Sequence, residues 1–176
     1  ETFVSKPISY YAKAKYSASK YLRKLHEKYE FPCVIIRPYQ IYGPNQDQNR
    51  FIPIIINKSL ENKNFPCSDG NHYRDFLYVD DFVKIIKKAL IYKNIEGNLF
   101  NAGFGKPQKI GKVIKYIIGY IGFGKPAYGM VKLRKEESNV LYPDITKSKK
   151  VLKWSPKENF FSGLHKTIRY YKTLNT

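Results

Sequence analysis

Short apolar runs alternate with stretches of helical period along almost the whole chain, and this alternation restricts the fold more than any other feature. A strand that gives way to a helix and then to another strand belongs to a layered α/β protein, with its sheet covered by helices. Pro7 and Ser9 form a helix start, and the period continues to about Tyr29. Residues 32–37 follow as a continuous apolar run, the signature of a strand buried on both faces in a parallel sheet. Residues 39–49 hold Gly43-Pro44 and several Asn and Gln, which predicts a loop. A helix is expected from about Phe51 to Glu61, a short strand over Phe76–Val79, and a further helix capped by Asp80 or Asp81 and ending near Tyr92. Residues 98–101 read as a strand closed by Gly103. Lys112–Ile121 is expected to be helical, Tyr142–Lys153 partly so, and Phe160–Lys172 forms a last amphipathic helix.

At 176 residues the chain is long enough to bury one core. It contains no apolar run near the ~18 residues of a membrane span. It begins at Glu1, and Met130 is the only methionine, so neither a start nor a signal peptide is visible and a truncated chain is expected. Cys33 and Cys67 are too few for a disulfide framework or a CxxC metal site, which favours a reducing, cytoplasmic setting with no metal. The formal net charge of +18 raises the prospect of nucleic acid. The excess, however, is 26 Lys against 6 Arg, scattered singly along solvated faces such as that of Lys84, Lys87 and Lys88. Nucleic acid is therefore not expected as a partner, whereas a small anionic substrate would gain from the charge.

A doubly wound dinucleotide fold places a glycine-rich turn against the cofactor pyrophosphate. No complete G-x-G-x-x-G occurs. Gly103-Phe-Gly105-Lys has two glycines at the right spacing but lacks the third, and reads as a turn after a strand.

Two Tyr-x-x-x-Lys pairs lie in the first helix, Tyr11 with Lys15 and Tyr16 with Lys20. Residues four apart share a helix face, so the ammonium can stabilise the charged form of the phenol, which suits it to acid–base work on a hydroxyl during hydride transfer. The motif alone is weak, since about two to three such pairs are expected by chance in a chain this rich in Tyr and Lys. Phase separates the pairs. Tyr11, Lys15, Ala18, Leu22, Leu25 and Tyr29 fall on one largely apolar stripe, whereas Tyr16, Lys20, Arg23 and Glu27 form a polar one. A lysine on the expected core side needs a partner or a task, which singles out Lys15; otherwise it snorkels from the stripe.

Taken in order, Pro7-Ile-Ser-Tyr-Tyr11-Ala-Lys-Ala-Lys15, Arg37-Pro-Tyr-Gln-Ile-Tyr-Gly-Pro44, Gly70-Asn-His-Tyr-Arg74-Asp75-Phe-Leu-Tyr-Val-Asp80-Asp81, Asn101-Ala-Gly103 and Tyr142-Pro-Asp-Ile-Thr-Lys-Ser-Lys resemble the extended short-chain dehydrogenase/reductase family that acts on nucleotide sugars. Leu152-Lys-Trp154-Ser-Pro156 and Gly163-Leu extend the likeness, which spans nearly all of the chain. Counting from Tyr11 to Phe31-Pro32 matches the family's spacing, and counting from Tyr16 falls five residues short.

The resemblance implies the last part of a Rossmann-type doubly wound domain, residues 1–44, followed by a smaller α/β substrate-binding lobe, residues 45–176, with the strand near 76–79 able to return to the sheet. It implies NAD or NADP as cofactor, a nucleoside-diphosphate sugar as substrate, and a homodimer for an intact protein. By the same resemblance Tyr11 would be the acid/base and Lys15 would hold the nicotinamide ribose, with Pro38 also beside the cofactor. Gln40, Phe51, Ile52, Pro53, Arg74 and Arg134 would line the substrate pocket, the two arginines on the diphosphate because a guanidinium fork matches phosphate oxygens. Gln40 stands where the family usually has Asn.

Plainer roles compete. Arg74 could pair with Asp75 or Asp80, Arg134 could pair with Glu137, Gln40 could cap loop backbone, and Phe51 could merely open a helix. The leading expectation is an enzyme that oxidises a nucleotide-linked hexose and then epimerises, dehydrates or reduces it. The others are a nucleotide-sugar-binding module without chemistry and a basic nucleic-acid-binding domain.

Overall fold

The computed structural model describes residues 7–134 and 137–174. Helix α1 (Tyr10–Tyr29) starts where Ser9 Oγ accepts the Ala12 N–H at 3.1 Å, as expected of a serine cap. There follow β1 (Ile35–Pro38), β2 (Gln40–Tyr42), α2 (Phe51–Leu60), β3 (Asn64–Pro66), β4 (Tyr73–Arg74), β5 (Phe76–Tyr78), α3 (Val79–Ile91) and β6 (Leu99–Ala102). The chain continues through β7 (Gln108–Lys109), α4 (Ile110–Ile121), β8 (Lys125–Ala127), β9 (Val140–Leu141), α5 (Thr146–Val151) and α6 (Phe160–Leu174).

The α/β expectation holds, because among the described residues β1–β6, β2–β5, β3–β8 and β4–β9 pair in parallel and only β4–β7 is antiparallel. The strand that returns to β1 is β6, with Ile35 opposite Leu99 and Pro38 opposite Ala102. Phe76–Tyr78 lies instead beside β2, with Gln40 opposite Phe76. Strand β2 falls inside the expected loop at 39–49; three residues carry too little pattern to separate them from a turn-rich segment.

Two apolar clusters hold these elements. In the larger, Tyr42, Phe76, Tyr78 and Phe160 pack on Ile52, Ile55 and Ile56 of α2, Ile114 and Ile117 of α4, and Leu164 and Ile168 of α6. The Tyr42 hydroxyl, buried with its ring, donates to Phe160 O at 2.9 Å. In the smaller, Leu77, Phe100 and Ala102 meet Ile85 of α3 together with Leu152 and Trp154.

Two expectations need correction. Helix α3 begins at Val79, and neither Asp80 nor Asp81 caps it. The fully buried Asp81 carboxylate accepts N–H groups of Lys157 and Glu158, both at 2.7 Å, while the Trp154 indole donates to Asp81 O at 3.1 Å. An aspartate that looked local therefore ties the segment before α6 to α3.

The apolar stripe of α1 is not a core face either. No residue of α1 is buried, and Tyr11, Lys15, Ala18 and Tyr29 are exposed. Only Leu22 and Leu25 of the stripe are half-buried, beside Ala12, Ser19 and His26. The contact face is rotated from the one that periodicity marked, so Lys15 is not a buried cation. Gly97, at φ 72°, leaves room for the His26 ring, which no side chain there would allow.

Candidate functional site

Arg74 ends β4 with 4% of its surface exposed. Its Nη1 donates to Tyr73 O at 2.7 Å and Ser138 O at 2.9 Å, and its Nη2 to Glu137 Oε1 at 2.5 Å. The segment leading into β9 is thus strapped over the guanidinium, and the ladder holds it there: the Tyr73 N–H donates to Asn139 O at 2.7 Å and the Asp75 N–H to Leu141 O at 3.1 Å. The guanidinium beside Glu137 holds that carboxyl below the ordinary glutamate value. The pairing with Asp75 or Asp80 weighed for Arg74 is absent among the described residues. Arg134 does not pair with Glu137 through its side chain; it is exposed, and its carbonyl accepts the Glu137 N–H at 2.9 Å. Glu137 therefore links both predicted diphosphate arginines. Sequence reasoning missed that role, because Glu137 and Arg74 stand 63 residues apart.

Asp75, the next residue, is fully buried. Its carboxylate collects the N–H groups of Phe104, Gly105 and Lys106 at 2.6, 2.6 and 3.0 Å. Successive N–H groups converging on an anion form a nest of the kind that often holds phosphate. Here the chain fills it with its own carboxylate, so the Gly103–Gly105 turn docks β6 against β5. Burial still pushes the Asp75 carboxyl above its usual value, against the pull of the three donors.

Between these two residues and β2, the other predicted positions divide. Gln40 is exposed at the start of β2, directly across from Phe76. Phe51 opens α2, half-buried, with its ring stacked on Phe76 at 6.0 Å between centroids. Ile52 and Pro53 are buried, Ile52 within the larger core cluster. Their side chains serve packing. His72, two residues before Arg74 on the same face, is buried and its Nδ1 has no hydrogen-bond partner.

At the start of α1, Tyr11 is 73% exposed and Lys15 Nζ lies 5.7 Å from the centre of its ring. Tyr16 and Lys20 show no such contact. Pro38 is exposed at the end of β1. An open phenol with an ammonium over it suits the nicotinamide-ribose end of a dinucleotide and the hydroxyl of a sugar. The occupied nest at Phe104–Lys106 does not suit a pyrophosphate, so this chain's own fit to a dinucleotide is confined to the reactive end.

A parallel β1–β6 pair with a Tyr/Lys helix before it, and a buried arginine at the end of β4, define a layered α/β protein. Residues 1–103 match the model of the NAD dependent epimerase/dehydratase family, and the chain belongs to that family. A putative UDP-glucose 4-epimerase of Methanocaldococcus jannaschii is 32% identical over 174 residues, 96% of this chain and 55% of that protein. The structure of a UDP-glucuronic acid 4-epimerase from Bacillus cereus, in complex with UDP-glucuronic acid and NAD, is 29% identical with a TM-score of 0.91, covering 99% of this chain and 56% of that one. A dTDP-glucose 4,6-dehydratase from Bacillus anthracis, in complex with NAD, is 27% identical with a TM-score of 0.88, covering 98% and 55%. The chain spans about half the length of the relatives it matches. No helix among the described residues is long and apolar enough to cross a membrane.

Proposed function

We propose that this chain is the substrate-binding half of an NAD(P)-dependent enzyme that oxidises the sugar of a nucleoside-diphosphate hexose and then epimerises, dehydrates or reduces it. The observation that carries the reading is Arg74. Its guanidinium is 4% exposed, in a segment shared with Asp75, and Glu137, which pairs with it, also donates its N–H to Arg134 O, so both arginines belong to one strapped segment. Gln40 and Phe51, both next to Phe76, border the same region.

Bound NAD(P) supplies the hydride acceptor. Tyr11 takes the proton of the sugar hydroxyl as its C–H bond breaks, and returns it when the carbonyl is reduced again. Lys15, whose Nζ lies 5.7 Å from the centre of the Tyr11 ring, would hold the nicotinamide ribose, with Pro38 bordering the cofactor. Arg74 and Arg134 hold the diphosphate, fixing the hexose toward Tyr11. The exposed tyrosines of α1 support association with a second copy of the intact enzyme, and the two free cysteines suit a reducing compartment such as the cytoplasm.

The substrate contact is tested in the chain joined to a compatible N-terminal half. A charged, forked hydrogen bond contributes about 1.5–3 kcal/mol, so Arg74→Ala raises KM for a nucleotide sugar by roughly 10- to 150-fold. Arg74→Lys keeps the charge without the fork and raises it less. Unchanged KM with a large fall in melting temperature assigns Arg74 to the Glu137 strap alone and moves the diphosphate elsewhere.

A further inference from the structure

The role proposed for this chain leaves Arg37 without work. It lies in β1 on the same face as Ile35, the face that α1 covers, and it is half-buried. A cavity of about 250 Å³ opens between the helix and that face, lined among others by Ser19, Lys20, Arg23, Lys24, Glu27 and Arg37. Four of these six carry positive charge. The one carboxylate, Glu27, stands 4.0 Å from Arg23, with both side chains more than half exposed. The Ser19 hydroxyl donates back along α1 to Lys15 O at 2.9 Å, so its oxygen keeps acceptor capacity and supplies no charge.

Arg37 contrasts with Arg74. Arg74 has two carbonyls and a carboxylate, whereas among the described residues no carboxylate or carbonyl accepts from the Arg37 guanidinium. Burying part of an unpaired guanidinium is costly, and crowding three further cations around it adds repulsion. Both costs are removed by one anion with several acceptor oxygens. A planar fork that is always charged, flanked by mobile ammonium groups in a partly enclosed cavity, has the chemistry of a phosphate site.

We propose that the cavity between α1 and β1 binds a phosphate group, held by Arg37 with Lys20, Lys24 and Arg23 around it. The site is separate from the Arg74 region, which lies on β4 in another sheet. Binding there clamps α1, the helix that carries Tyr11, to the strands beneath it.

The whole chain is titrated with inorganic phosphate at constant ionic strength, chloride replacing it in the control, and the melting temperature is followed. The site gives a saturable rise with phosphate and none with chloride. Arg37→Gln abolishes the rise. Ser19→Glu places a tethered carboxylate in the cavity, so it raises the melting temperature without phosphate and removes the response to it. Methyl phosphate identifies the source: a rise equal to that of phosphate marks an esterified phosphate as an accepted ligand, and no rise restricts the site to free phosphate. A shift that does not saturate, no shift at all, or a saturable shift that survives in Ser19→Glu overturns the proposal. Ser19→Glu decides the matter even if Arg37→Gln fails to fold.

Discussion

At the scale of single residues, two carboxylates organise the site. Asp75 fills the one nest of converging N–H groups around the Gly103 turn, and Glu137 occupies the Arg74 guanidinium. The strap has a pH signature. The Glu137 carboxyl is held below its ordinary value of about 4.3 chiefly by the Arg74 hydrogen bond. Its folded pKa is lower than its unfolded one, so its contribution to stability is present above pH ~4.3 and is lost as pH falls through the folded value. Denaturant unfolding of the native chain and of Glu137→Gln should therefore differ near neutrality, the native chain being more stable, and converge on acidification. A difference independent of pH would place the effect of Gln elsewhere. Residue type and motif single out Arg74 as a candidate but not its partner, since no periodicity links positions 63 apart, and the same holds for Asp75 and a turn about 30 residues on.

At the scale of elements, every helix expected from a 3.6-residue apolar period is present, with ends within a few residues of expectation. Strands of two or three residues, such as β4, β7 and β9, are set by tertiary pairing and leave no pattern to read. The stripe of α1 shows the opposite failure: periodicity reports where apolar residues sit, not whether a surface faces them. Close packing at α6 is testable. Gly163 sits against the Tyr42 hydroxyl and the Tyr78 ring, where an added Cβ would lie 2.8 Å from Tyr78 Cδ2. Within a helix Gly→Ala ordinarily gains about 1 kcal/mol. Here overpacking against two rings of the larger core costs about 1–3 kcal/mol and prevails, so Gly163→Ala lowers the urea midpoint. A raised midpoint would show that α6 can slide to accept the methyl group.

At the scale of the whole molecule, the chain carries a Tyr/Lys helix ahead of one parallel strand pair and a buried arginine at the end of β4, and it spans about half the length of its relatives. Reaction type is not readable from these residues, because the matches include 4-epimerases and 4,6-dehydratases alike. The family is one of NAD-dependent epimerases and dehydratases, and in the proposed mechanism Tyr11 moves the proton of the sugar hydroxyl. The most direct measurement is turnover of a nucleotide sugar by the chain joined to a compatible N-terminal half, with Tyr11→Phe and Tyr16→Phe compared. Tyr11→Phe removes only a hydroxyl and should lower kcat by about 10²-fold or more while dinucleotide binding persists; Tyr16→Phe should leave kcat within a few-fold. Loss of turnover in Tyr16→Phe with Tyr11→Phe active would contradict the assignment of the acid/base.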